Sequence, residues 1–108
     1  MATFDEFWNT LKIGLEAFAE QSWNTYKNAA LKDGQNFLDK SKTDLEDWIQ
    51  QLSAKEITID DFKWNVKGLG DVAELDALEK ACLAKAALDS FTNGLINVVV
   101  STAIKVFL

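Results

Sequence analysis

Apolar positions recur along the first half of this chain with one dominant spacing. Phe4, Trp8, Leu11, Leu15, Phe18, Ser22, Tyr26 and Ala30 step by three or four, which puts their side chains on one face of a helix with 3.6 residues per turn. Thr3 precedes the run and Asp5 and Glu6 follow it. Its hydroxyl can take an orphan backbone N–H while Glu6 reaches back to the cap and favours the positive helix end. The phase continues through Gly34, Phe37, Ser41, Leu45, Trp48 and Leu52 without a slip in register. The spacing therefore predicts one helix over residues 3–53. At about 1.5 Å per residue that rod is roughly 75 Å long, too long to bury its stripe without a partner of comparable length. Lys32, Asp33 and Gly34 form a C-terminal signal inside it. Two shorter helices joined by a hairpin turn at Asp33–Gly34 are the alternative.

Residues 54–59 read as a connector. Ile57 and Ile59 alternate around Thr58, too briefly for a strand, and Thr58 ahead of Asp60 and Asp61 has the pattern of a second N-terminal cap. A short helix over residues 60–66 follows, with Phe62 and Val66 on one side and Trp64 on another. Lys67, Gly68, Leu69 and Gly70 read as a loop, and Asp71 as the cap of a last helix over residues 71–107.

The last helix begins with Leu75, Leu78, Cys82, Ala86, Leu88, Phe91 and Leu95 at helical steps. Beyond Gly94 the apolar surface widens until only Asn93, Asn97, Ser101 and Lys105 remain as a polar row at i, i+4 spacing. The three consecutive valines also carry β propensity, so a strand over residues 97–107 is the competing reading. Fully burying side chains such as Val99, Val100, Ile104 and Phe107 is worth about 1.5–3 kcal/mol each, so something must cover them. A lone hairpin buries one face of each helix, and this segment offers nearly three.

The expected fold is accordingly all-α: a long helical hairpin with a short connecting helix, completing a four-helix-bundle-like core by dimerisation. The chain forms a single domain over residues 1–108. The alternative is a compact monomer in which the long N-terminal helix bends at Gly34 and the chain wraps the C-terminal helix from several sides.

Composition narrows the chemistry. Eleven lysines stand against seventeen acidic residues, giving a net charge of −6, and there is no arginine and no histidine. The charge has the wrong sign for neutralising phosphates, and the planar fork that grips phosphate or guanine is missing, so nucleic acid is not an expected partner. Without histidine or arginine, one chain cannot assemble a Ser-His-Asp triad, a Cys-His pair or an arginine phosphate clamp, and no enzymatic activity is expected. Cys82 rules out an internal disulfide and, lying on the apolar stripe, reads as a packing group.

The acidic groups Asp44, Glu46, Asp47, Asp60 and Asp61 read as solvated helix faces, since no stretch follows the EF-hand loop. No metal or cofactor is expected. Gly68 and Gly70 complete only a GxG fragment of a nucleotide-binding loop. Trp8, Trp23, Trp48 and Trp64 at helical spacing read as core. Asp5, Glu6, Glu16 and Glu20 interrupt the region where a secretory signal needs an apolar run, so no cleavable leader is expected and the cytoplasm is the expected location.

These readings converge on association. The expected interface is Ile96, Val99, Val100, Ala103, Ile104 and Phe107, meeting a second copy, with a dimer favoured, or a partner helix. On that reading Val100→Asp weakens association and leaves much of the helical signal. Two other classes stay open. A membrane-surface helix is one, although the acidic polar face argues against it and the segment 95–108 is shorter than the roughly 20 residues of a span. A small helical ligand-binding domain with an aromatic-lined pocket is the other.

Overall fold

Thr3 opens the first helix as its spacing predicts. In a computed structural model that describes residues 3–81 and 83–108, Thr3 Oγ1 accepts a hydrogen bond from the Glu6 backbone N–H at 3.2 Å. Helix α1 then runs over Phe4–Ser22, well short of Ser53. Ser22, Asn24 and Thr25 offer side chains that compete for nearby backbone groups. The chain turns through Trp23 and a 3₁₀ turn at Asn24–Tyr26 before α2, Lys27–Ser53, begins.

The single helix expected over residues 3–53 is therefore two helices. The break does not fall at Asp33–Gly34, where α2 is uninterrupted. Ser22 and Tyr26, which carry the apolar phase across the break, are both exposed, so they supply spacing without burial. Trp23, which is out of phase, turns inward instead and meets the Phe91 ring edge-on at 5.3 Å.

Folding back at this turn sets α1 antiparallel to α2. The Leu15 side chain lies over Gly34, and further along Lys42 Nζ stands 5.1 Å from the centre of the Trp8 ring. Gly34 thus acts as a slot for a leucine and not as a helix stop. At the far end of α2, the Glu56 N–H donates to the Gln51 carbonyl at 2.8 Å and the Lys55 N–H to the Leu52 carbonyl at 3.1 Å. Lys55 has φ of 63°, the left-handed residue of a Schellman motif.

Helix α3, Ile59–Asp71, starts with a reciprocal capping box. The Asp61 N–H donates to Thr58 Oγ1 at 3.1 Å and the Thr58 N–H to Asp61 Oδ2 at 3.0 Å. It extends beyond the expected 60–66 and takes in Lys67–Gly70, read from sequence as a loop. Gly70 does not bend the chain: Ile96 and Thr92 fill the space its Cβ would take.

Asp71 ends α3 and does not cap the next helix. The expected helix over residues 71–107 is divided into a short α4, Asp76–Lys80, and a long α5, Lys85–Phe107. The C-terminal segment is helical through Phe107, so the strand over residues 97–107 does not form.

Among the described residues the fold is all-α, with five α-helices and no strand. Helix α1 packs on α2 and α5, α3 packs on α5 and α2, and α4 packs on α2. Phe7, Leu11, Leu38, Leu45, Phe62, Phe91 and Leu95 are all buried in the core between them. The α1–α5 pair is antiparallel and close. Phe7 meets Phe107 at 6.2 Å, Val98 lies against Gly14, and the Phe18 ring covers Gly94. The radius of gyration is 13.6 Å, against about 13 Å for a compact domain of this length.

Candidate functional site

The six residues of the expected interface do not share one open face. Ile96, Val99, Val100 and Ala103 are buried within the chain itself. The cause is the crowding of α5, which is flanked by α1 and α3 and touched by α2. Phe107 is half-buried against Phe7. Ile104 remains 45% exposed and Leu108, one turn on, 74% exposed. The polar row Asn93, Asn97, Ser101 and Lys105 is exposed along its length and forms the solvent stripe of α5. Thr102 also sits among the buried residues, its hydroxyl satisfied by donation to the Val98 carbonyl at 2.7 Å.

The tryptophans divide in the same way. Trp8 is buried beneath Lys42 and Lys12, Trp23 packs on Phe91, and Trp48 is half-buried against the core. Trp64 is 75% exposed. It was expected in the core with the other three and is not, because it lies off the Phe62–Val66 side by which α3 packs on the core.

A cleft of about 730 Å³ opens where the end of α3, α4 and the start of α5 meet. Gly70, Leu75, Leu88 and Thr92 line it together with Asp71, Glu79, Lys85 and Asp89. The volume is in the range of small-molecule sites. Its charged side chains are all exposed, however, and its aromatic content is nil, unlike the aromatic-lined pocket expected of a helical ligand-binding domain.

The chain's own chemistry is structural where it can be followed. Asp61 serves the α3 capping box, and Asp44, Glu46, Asp47 and Asp60 are exposed. No group of three or more side chains suited to a metal ion comes together among the described residues. Cys82, read as a packing group, lies outside them.

No family model, curated protein or solved structure matches this chain. The exposed apolar surface is consequently the feature of most interest. Two residues depart from the expectation from sequence. Leu108 was left out of the apolar end of α5, although it lies four residues from Ile104. Asp33, treated as a possible turn residue, is instead one of the few buried polar side chains, 1% exposed.

Proposed function

We propose that this chain is a non-enzymatic cytoplasmic helical module that works by association, offering the last turns of α5 to a second copy or to a partner helix. The observation that carries this reading is the pair Ile104 and Leu108, exposed at i, i+4 beside the half-buried Phe107. Each such side chain gains roughly 1.5–3 kcal/mol when fully buried, which is a reason for a partner to cover them. The rest of the apolar surface of α5 already has its cover. A four-helix arrangement is accessible to one chain through α1, α2, α3 and α5, so a dimer adds contacts to a core that is closed without it.

Light scattering coupled to size exclusion over a hundredfold range of concentration tests the reading, comparing the native chain with an Ile104→Asp, Leu108→Asp double variant. Both positions are exposed, so the helical signal should persist while association is lost. An unchanged mass with and without a candidate helical partner removes the reading.

A membrane-surface role is the second reading, and one observation favours it: α5 is the one helix among the described residues long and apolar enough to cross a membrane by length and composition. Its seven buried residues argue for a core helix. Flotation with neutral and anionic liposomes separates the two, and a chain that stays in the aqueous fraction with both excludes the membrane.

A further inference from the structure

Among the described residues three polar or charged side chains are buried, Asp33, Ser41 and Thr102. Two of them lie on one row of α2. Asp33, Phe37 and Ser41 follow at i, i+4 spacing on a single face of that helix, and none is more than 5% exposed. Residues 72–80 lie across this row and run antiparallel to α2. Glu74 Oε2 accepts from Lys40 Nζ at 3.3 Å, and further along the Ala77 and Leu78 N–H groups donate to the Asp33 carboxylate at 3.0 and 2.8 Å. Leu78 is fully buried and Leu75 nearly so. The cover is nonetheless thin. Its helical part is the five residues Asp76–Lys80, and a gap of about 260 Å³ bounded by Phe37, Ser41, Ala73 and Glu74 remains where the stretch begins.

We infer that residues 72–80 form a strap that lifts from α2 as one unit while α1, α2, α3 and α5 stay packed, baring the row Asp33, Phe37 and Ser41. The chemistry of the row suits two states. In a permanently closed core a carboxylate and a hydroxyl stabilise less than apolar side chains of similar size. Under a strap that comes and goes they keep the bared face wettable, because the Asp33 carboxylate exchanges two backbone donors for water. Helices α3 and α5 stay in contact through Gly70, Thr92 and Ile96, so the connection between them moves without parting them. The holds of the strap on α2 include a charged cap, an exposed ion pair and two leucines. An element held through so little apolar surface opens locally ahead of the core. Leu75 and Glu79 also wall the cleft of about 730 Å³ against α5, so the same motion widens that cleft. The strap is separate from the end of α5 and goes beyond association through it.

Thiol labelling of the full chain tests the strap. In a Cys82→Ser background, which removes the native thiol, Ser41→Cys places a single thiol under the strap and Val66→Cys places it in the fully buried core face of α3. Where closing outpaces reaction, the labelling rate reads the open population. The Ser41→Cys chain should react faster than the Val66→Cys chain. Gly94→Ala loosens the α1–α5 contact, which strap opening keeps, so it should speed labelling of Val66→Cys and leave that of Ser41→Cys unchanged. Asp33→Ala should speed labelling of Ser41→Cys roughly tenfold or more. Glu74→Lys, at an exposed position, should speed it about two- to fivefold, and adding Lys40→Glu should reverse the gain. Equal rates for the two thiols, or a Gly94→Ala effect on both alike, would mean that only global unfolding bares the row and would overturn the strap. Labelling of Ser41→Cys that is indifferent to Asp33→Ala overturns it as well.

Discussion

The carboxylate of Asp33, in α2, accepts a hydrogen bond from the backbone N–H of Leu78, in α4, with Oδ2 at 2.8 Å. Its other oxygen accepts from the Ala77 N–H at 3.0 Å. These N–H groups belong to the first turn of α4, whose own N-cap residue, Leu75, has no side chain able to accept them. A helix of five residues cannot stand on its own propensity. A buried acid from a distant part of the chain supplies the cap that Asp71 was expected to give, and its negative charge suits the positive end of the helix.

Asp33→Ala should therefore destabilise the chain by about 2–3 kcal/mol, since it leaves two backbone donors without their charged acceptor. Asp33→Asn should cost less, because one amide oxygen can still accept. Urea unfolding gives the magnitude. Native-state hydrogen exchange should show the Ala77 and Leu78 amides losing protection first, and uniform loss across the chain would argue against a local cap.

The glycines predict opposite signs at two positions. A Cβ at Gly94 would stand 2.6 Å from two carbons of the Phe18 ring, so Gly94→Ala must move a ring at the α1–α5 contact and should cost about 1–3 kcal/mol. Gly68→Ala meets nothing and should stabilise by up to about 1 kcal/mol. Thermal midpoints that shift in the same direction for both would refute this account of the helix approaches.

Lys55 occupies a left-handed conformation at the end of α2, which is unfavourable for residues with a Cβ by roughly 1–2 kcal/mol. Lys55→Gly relieves the strain but frees the unfolded chain, so a net gain of about 0.5–1 kcal/mol is expected. Denaturant midpoints of the two proteins measure it.

Val100 and Ile104 lie one turn apart and should respond differently to the same change. Val100 is 8% exposed, so Val100→Asp buries an unpaired charge. It should remove more than about 3 kcal/mol, a large share of a small domain's stability. The variant would lose helical signal and not association alone, contrary to the expectation from sequence. Ile104→Asp, at a position 45% exposed, should change stability by less than about 1 kcal/mol. Circular dichroism with thermal melting distinguishes the two.

Much of the local structure was legible in the residues. The caps at Thr3 and Thr58, the end of α2 at Ser53, the helical character of the C-terminal third and its solvent stripe of Asn93, Asn97, Ser101 and Lys105 all follow from interactions within a turn or two of each residue. The site was less legible. The period showed that α5 is apolar over most of its circumference, but whether α1 and α3 or a second chain covers it is not a property of α5.

The sequence by itself determined helix almost everywhere, because capping, propensity and the 3.6-residue period act over a few residues and the relevant side chains are neighbours along the chain. Only the tertiary structure decided where the chain folds back, which glycines are slots, and that Asp33 caps α4. Those outcomes depend on what stands opposite in space. Gly34 reads as a helix stop until Leu15 is laid over it, and Trp23 falls out of phase until Phe91 receives it. Burial against distant side chains is what decides such positions, and local pattern carries no information about which distant side chains arrive.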